Sequence, residues 1–185
     1  MRRTIRPMAM IAAVLAVVPL HAGPAVAGCC ITSMHADADD VSGKLDLRRV
    51  GYVKHDPSSP MRVVVRTYPG WPARLLNKGS GNTLRVKLDV DPDPQADYTL
   101  TVKRVGGVLE VFVRSQDEVF ESLPARHPDR RTIRFRIPGG DSSVNPSHGG
   151  LRIRAVSRFV ASAECDPASG GATCVDRAPD AGFGP

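Results

Sequence analysis

Aspartate is the residue type whose spacing most clearly suggests chemistry in this chain. One alternating apolar segment ends in an acidic, proline-containing stretch that carries Asp89, Asp91, Asp93 and Asp97. Calcium prefers such carboxylate oxygens and takes six to eight oxygen ligands. We therefore predict a calcium site at these four residues. The alternative is a solvated acidic loop, because Pro92 and Pro94 stiffen the segment and no glycine supplies the sharp turn of an EF-hand loop.

More aspartates lie towards the two ends of the chain. Asp37, Asp39 and Asp40 stand together before the first alternating segment, and Asp176 and Asp180 lie close to the last residue. If the two ends of the chain meet, these side chains can form a second cluster of oxygen ligands.

A turn that contains the single tryptophan is the other candidate site. Tyr68 and Trp71 flank a Pro-Gly pair, and Arg74 follows shortly after. Exposed aromatic faces pack on the apolar faces of sugar rings, and an arginine fork can hydrogen-bond hydroxyls. We predict ligand binding at Tyr68, Trp71 and Arg74. The alternative is that Trp71 belongs to the core.

Catalytic motifs are missing from the sequence. It contains no Gly-x-Ser-x-Gly, His-Glu-x-x-His or catalytic cysteine signature, and most histidines lie in predicted loops. We therefore predict no catalytic residues and a non-enzymatic protein. A triad assembled from distant residues is the alternative.

Strands must position these candidate sites, because apolar and polar residues alternate along most of the chain. Such period-two alternation is typical of strands with one buried face. It predicts strands near 45–54, 61–68, 84–90, 98–103, 109–114, 119–123, 132–137 and 151–155. Gly106-Gly107 between two of these segments predicts a tight hairpin. The pattern favours an all-β fold, an antiparallel β-sandwich of about eight strands and of jelly-roll or immunoglobulin-like size.

The first thirty residues resemble an export signal. Three arginines precede a short apolar segment, and Ala25-Val26-Ala27 is a small-x-small cleavage site before Gly28. We predict a cleaved signal peptide at 1–27 and a secreted, extracellular product. Val26-Ala27-Gly28-Cys29 also fits a lipobox, in which Cys29 is lipidated and the product is a cell-surface lipoprotein. In that case the membrane is reached only through the lipid anchor at Cys29.

Export would affect the oxidation state of the cysteines and the net charge of the mature protein. In an oxidising compartment we predict a Cys165–Cys174 disulfide that holds a tail at 164–185, after an N-terminal linker at 28–35 and the β-sandwich domain at 36–163. The partners of Cys29 and Cys30 stay open. Removal of 1–27 lowers the formal net charge from +6 to +3, because the signal holds three arginines and no acids. This weak charge argues against a nucleic-acid partner.

Three landmarks in order carry a family resemblance: the aspartates of 37–43, the Asp-x-Asp loop and Asp-Tyr of 89–98, and the Cys-x-Asp-x-x-Pro-Asp ending of 174–180. In these the chain resembles family 9 carbohydrate-binding modules and DOMON-like domains. In the Trp71 segment and the Cys…Cys-x-Asp-x-Ala-Pro-Asp tail it also resembles uncharacterised secreted proteins of high-GC actinobacteria. The resemblance implies an exported binding module for a carbohydrate or another small ligand, in some members with structural calcium. Aromatic residues are only 5% of the chain. The alternative function is a structural or protein-interaction component of the bacterial cell envelope.

Overall fold

The computed structural model describes residues 31–41, 43–56, 58–91, 93, 95–115, 118–139, 151–160, 173–180 and 182–183. These residues form ten strands and one short 3-10 turn at Ala73–Leu76. The strands are β1 (Ile31–Ala36), β2 (Leu47–Lys54), β3 (Met61–Thr67), β4 (Thr83–Asp89), β5 (Tyr98–Val105), β6 (Val108–Ser115), β7 (Glu118–Asp129), β8 (Thr132–Ile137), β9 (Arg152–Val160) and β10 (Thr173–Ala178). The predicted all-β, antiparallel fold is confirmed, with more strands than the eight expected.

The two additional strands are the first and the last. β1 lies largely in the predicted linker and pairs along its whole length with β2. A Cβ atom at Gly51 of β2 would meet Sδ of Met34 and the carbonyl oxygen of Ser33, so glycine permits this close pairing. β10 lies in the predicted tail and pairs with β9. Its buried positions include Asp176, which breaks the apolar alternation that marks the other strands.

All ten strands belong to one antiparallel sheet, in the order β1-β2-β3-β8-β7-β6-β5-β4-β9-β10. The sheet is therefore continuous, whereas the predicted sandwich has two facing sheets. Because strands twist with a fixed hand, a sheet this wide curls on itself. β2 contacts both β9 and β10, so the two ends of the sheet meet and the sheet is nearly closed.

The core fills the inside of this curled sheet. Side chains at alternate strand positions are buried, as in β3, β4 and β9. Leu76 of the 3-10 turn belongs to the same core. Burying one such large apolar side chain contributes about 1.5–3 kcal/mol. Gly106 and Gly107 both have positive φ, +57° and +92°, and form the predicted two-residue hairpin between β5 and β6.

The strand order brings distant parts of the sequence together. The β1–β2 loop lies beside β10, because β2 and β10 meet where the sheet nearly closes. The backbone N–H of Leu47 donates a hydrogen bond to Oδ2 of Asp176 across this contact, at 2.5 Å. Within the described residues, no helix is long and apolar enough to cross a membrane.

Candidate functional site

Aspartates from both ends of the chain gather where the sheet nearly closes. Asp40, Asp46 and Asp176 each place a carboxylate oxygen within 4.8 Å of the others. We call these three, together with the nearby Asp37, Asp39 and Asp180, the aspartate cluster. Asp46 and Asp176 are each only 3% exposed, whereas Asp40 is exposed. Of the aspartates predicted to form a second oxygen cluster, Asp40 and Asp176 meet in this way, and Asp46 joins them from the start of a predicted strand.

Local structure fixes the two buried members. Asp46 lies between Leu45 and Leu47, which are both buried, and its carbonyl oxygen accepts a hydrogen bond from the N–H of Tyr68 at 2.9 Å. Asp176 occupies an inward position of β10, and its two oxygens accept hydrogen bonds from the N–H groups of Leu47 and Arg177. Backbone hydrogen bonds and buried neighbours therefore hold both residues in place.

The carboxylates of the aspartate cluster repel one another in a partly desolvated place. Burial, followed by the charges of Asp176 and Asp180, raises the pKa of Asp37 to about 7. Burial, followed by hydrogen bonding to Asp39, raises the pKa of Asp46 to about 8. Burial also raises the pKa of Asp176. Each of these shifts means that the folded protein disfavours the charged carboxylate at neutral pH.

Within the part of the chain that the structure describes, no lysine or arginine forms an ion pair with the aspartate cluster. Arg154 donates to the backbone carbonyl of Asp180 at 2.7 Å, and its side chain is partly buried. Oδ1 of Asp46 is buried and accepts no hydrogen bond. A buried carboxylate oxygen without a donor is costly, so this arrangement has the oxygen ligands and the charge to hold a cation.

The predicted calcium loop is built differently, because the side chain of Arg152 on β9 reaches into it. Asp89, Asp91 and Asp97 also place carboxylate oxygens within 4.8 Å of one another. Asp89 is fully buried and forms an ion pair with Arg152. The same guanidinium donates hydrogen bonds to the carbonyl oxygens of Asp91 and Asp93. Arg152 therefore supplies positive charge where the sequence suggested a metal ion.

The remaining side chains of this loop hold its backbone. Oδ2 of Asp97 accepts from the N–H of Val90 at 2.7 Å, and Oδ1 of Asp93 accepts from the N–H of Gln95 at 2.6 Å. The structure does not group the Asp93 carboxylate with the other three. Calcium at Asp89, Asp91, Asp93 and Asp97 stays a prediction, with Arg152 as a competitor for the same oxygens.

An open groove adjoins the aspartate cluster. Its volume is about 370 Å³, and it is lined by Asp39, Val41, Gly43, Lys44, Asp46, Tyr68 and Pro69. The hydroxyl of Tyr68 donates to the carbonyl oxygen of Asp37 at 2.7 Å, and the guanidinium of Arg48 lies over its ring. Tyr68 is thus a fixed, half-buried wall of the groove. Asp46 is shared between the groove and the cluster.

The predicted sugar platform at Tyr68, Trp71 and Arg74 needs correction. Trp71 is only 1% exposed, and its ring stacks on His127 with centroids 4.3 Å apart. Its backbone N–H also donates to the carbonyl oxygen of Arg130, which holds the turn against β7 and β8. A buried ring cannot stack on a sugar from solvent. Arg74 is exposed on the 3-10 turn and does not line the groove, so only Tyr68 remains next to a candidate site.

A serine and a histidine meet on β1, but not as a triad. Oγ of Ser33 lies 2.6 Å from Nε2 of His35, two residues along the same strand. Among the described residues, no carboxylate forms an ion pair or hydrogen bond with the His35 ring.

Cys29 and Cys165 lie outside the described residues, so the predicted lipidation and the Cys165–Cys174 disulfide stay predictions.

The position of Asp46 in the sequence is unusual, but the alternation of apolar and polar residues does not show that it belongs to a site. Asp46 stands between two leucines at the start of a predicted strand, where a charged residue between buried neighbours is unusual.

Comparison of the chain with protein-family models, curated proteins and solved structures gives no significant match.

Proposed function

We propose that this protein is an exported, non-catalytic binding module whose folded domain holds a Ca²⁺ ion in the aspartate cluster. The proposal depends on one observation: Oδ1 of Asp46 is buried without a hydrogen-bond donor, among the carboxylates of Asp40 and Asp176. Within the described residues, no lysine or arginine forms an ion pair with these three carboxylates. Burial is the main cause of the raised pKa of Asp46, and repulsion from the neighbouring carboxylates adds to it. A divalent cation in contact with these oxygens would offset both effects by stabilising the charged carboxylate.

The chemistry of the donor atoms favours calcium over other divalent ions. The cluster offers carboxylate oxygens, without the histidine nitrogen or cysteine sulfur that zinc prefers. Magnesium demands a near-ideal octahedron, whereas calcium accepts irregular oxygen sets. Calcium sites of extracellular modules bind with a Kd on the order of 10⁻⁴–10⁻³ M, which suits a site made of three carboxylates.

An ion at this place would join the two ends of the sheet. Asp40 and Asp46 belong to the β1–β2 connection, and Asp176 belongs to β10. One hydrogen bond, from Leu47 to Asp176, already crosses this contact. A shared cation would add bonds from both sides and would stabilise the nearly closed sheet together with the groove beside it.

Export is the second part of the proposal. It rests on the predicted signal peptide at 1–27 and fits a calcium-dependent domain, because such sites suit the exterior of the cell. Mass spectrometry of the mature protein distinguishes the two forms. A free Gly28 indicates secretion, an acylated Cys29 indicates a surface lipoprotein, and an intact residue 1 would contradict export.

Thermal unfolding of the purified protein tests the calcium site. In 10 mM Ca²⁺ and for a Kd of about 10⁻⁴ M, binding should stabilise the folded state by about 2.7 kcal/mol relative to EDTA. For a chain of this size, this corresponds to a rise in Tm of roughly 5–11 °C. An unchanged Tm would overturn the proposal.

Matched variants locate the ion. Asp40→Asn and Asp46→Asn should remove most of the calcium-dependent rise in Tm. Asp91→Asn is the control, because Asp91 is an exposed aspartate of the loop that already binds the guanidinium of Arg152. If Asp91→Asn removes the response and Asp46→Asn does not, the ion is bound in the β4–β5 loop and the assignment to the aspartate cluster is wrong.

A further inference from the structure

We infer that the outer face of the sheet over β2, β3, β8 and β7 binds the phosphate headgroups of an anionic lipid bilayer. This face contains six arginines, five of them exposed and one half-buried, and we call them the arginine face: Arg49 of β2, Arg62 and Arg66 of β3, Arg134 and Arg136 of β8, and Arg126 of β7. The inference goes beyond the proposed function and does not depend on the calcium site. It gives the membrane a second contact besides the lipid anchor predicted at Cys29.

The pairing register of the strands brings these arginines together. It places them opposite one another in three pairs, Arg49–Arg66, Arg62–Arg136 and Arg126–Arg134. Since neighbouring strands lie about 4.8 Å apart and alternate residues about 6.7 Å apart, the six positions occupy roughly 14 Å by 13 Å of sheet. Adjacent positions are closer than the screening length of about 8 Å at physiological salt. Like charges directly opposite destabilise a sheet, so a bound anion would relieve repulsion here.

Little protein charge offsets the arginine face. Within the described residues, none of its arginines forms an ion pair, and the buried Nε of Arg66 donates to no protein group. Asp129 interacts with Arg66, but its Oδ1 already accepts a hydrogen bond from the N–H of Arg131 at 2.7 Å. Of the 19 acidic residues in the chain, six belong to the aspartate cluster and four to the predicted calcium loop. The small net charge of the mature chain therefore conceals a strongly positive face.

Protection of sheet edges does not explain these arginines. Charged side chains commonly keep an edge strand from pairing with another chain. β3 and β8 lie inside the sheet, each between two hydrogen-bonded neighbours, so Arg62, Arg134 and Arg136 protect no edge. On β5 and β6, by contrast, Lys103 lies opposite Glu110, which is the favourable cross-strand arrangement.

An exposed methionine beside the arginines favours a bilayer over a soluble polyanion. The register continues from Val64 of β3 through Gly51 of β2 to Met34 of β1, and Met34 is 41% exposed. Binding to a membrane surface combines burial of apolar side chains with attraction of basic side chains to anionic lipids. A soluble polyanion would leave the methionine in water.

The position of β1 fits the same orientation. β1 begins at Ile31, two positions after Cys29. Through Val53, its second residue Thr32 lies in the same cross-strand row as Arg62, and that row continues to β8. An acyl chain at Cys29 would therefore enter the bilayer beside the arginine face. A basic patch is the kind of second signal that makes lipid anchoring stable.

Co-flotation with lipid vesicles tests the inference. Every protein compared has Cys29→Ser, so that no acyl chain contributes, and is measured in EDTA, so that calcium does not contribute. The parent protein should bind phosphatidylglycerol vesicles, should not bind phosphatidylcholine vesicles, and should bind more weakly as the salt concentration rises. Combining Arg62→Gln, Arg134→Gln and Arg136→Gln should weaken binding at least tenfold, because each arginine near an anionic surface contributes about fivefold in affinity. Lysine at the same three positions keeps the charge and should keep most of the affinity.

A second triple variant is the matched control. Arg85→Gln, Arg158→Gln and Arg177→Gln remove the same charge from exposed positions on β4, β9 and β10. This variant should bind within about twofold of the parent protein, and both triple variants should keep its Tm. If the arginine-face triple has a lower Tm, Arg134→Gln alone replaces it, with an expected loss of about fivefold.

Four results would overturn the inference. They are no binding to phosphatidylglycerol, an equal loss in the two triple variants, binding that requires Ca²⁺, and binding to inorganic polyphosphate without binding to vesicles. An equal loss would mean that net charge, not this face, attracts the protein. A requirement for Ca²⁺ would place the lipid contact at the aspartate cluster. Polyphosphate binding alone would make the occupant a soluble polyanion. The calcium-dependent rise in Tm is measured separately, so its absence would overturn the proposed function and leave this inference standing.

Discussion

Replacing Asp46 by asparagine should stabilise the calcium-free protein at pH 8 and destabilise the calcium-bound protein. The substitution keeps the shape of the side chain and removes its charge. The charged groups that act on it are acidic, namely Asp39, Asp40 and Asp176, and Lys44 lines the same groove. Without a cation, the charge on Asp46 therefore opposes folding.

The magnitude follows from the pKa of Asp46. This pKa is about 8 in the folded protein against 3.8 for the unperturbed group. The folded state keeps a proton that the unfolded chain releases, so stability is unaffected below about pH 4 and falls as the pH rises from about 4 to about 8. The full shift corresponds to about 5–6 kcal/mol at pH 8. Since the protein relaxes around a buried charge and its effective dielectric constant is about 20, we expect about 2 kcal/mol, or roughly 4–8 °C in Tm.

The assay is thermal or denaturant unfolding of the wild type and Asp46→Asn between pH 4 and 8, in EDTA and in 10 mM Ca²⁺. In EDTA the two proteins should be equally stable at pH 4, and the variant should be the more stable at pH 8. In Ca²⁺ this order should reverse, because the variant loses a ligand. If Asp46→Asn is less stable than the wild type at pH 8 in EDTA, the charge on Asp46 does not oppose folding and our reasoning is refuted.

Asp56→Asn is the matched control of opposite sign. Hydrogen bonds from Ser58, and then from Ser59, lower the pKa of Asp56. Its stabilising effect is therefore present above about pH 4 and is lost as the pH falls. This variant should not gain stability at pH 8, in EDTA or in Ca²⁺.

Three further predictions concern the rest of the fold. Arg152→Met should destabilise the protein by about 3–5 kcal/mol, since it leaves the buried Asp89 carboxylate unpaired, and the exposed Arg158→Met on the same strand should change Tm little. Trp71 fluorescence should be blue-shifted and resist acrylamide until unfolding, and strong quenching in the native protein would contradict its burial. Gly51→Ala should speed hydrogen exchange of β1 while leaving the β3–β8 pair protected, because the new Cβ meets the β1 backbone; equal protection of β1 in both proteins would show that this close pairing is not required.

Alternation in the sequence correctly predicted most strands, since period two reports which face of a strand is buried. It also predicted the Gly106–Gly107 hairpin, because a type I′ turn needs positive φ at both positions. It missed β1 and β10. Those two strands lie at the ends of the sheet, and each pairs with a single neighbour.

Alternation does not report which strands are neighbours, so it could not establish the site. Tertiary structure placed β10 beside β2, and with it Asp176 beside Asp40 and Asp46. The same packing paired Asp89 with Arg152 and buried Trp71 against His127. The sequence by itself determined which residues carry charge and which strand faces are apolar, because these are local properties. Only strand pairing and the closing of the sheet decided which aspartates meet a protein cation and which do not. Asp89 meets Arg152 because β4 pairs with β9, and Asp176 meets the β1–β2 connection because the sheet nearly closes, so both outcomes depend on contacts between residues far apart in the sequence.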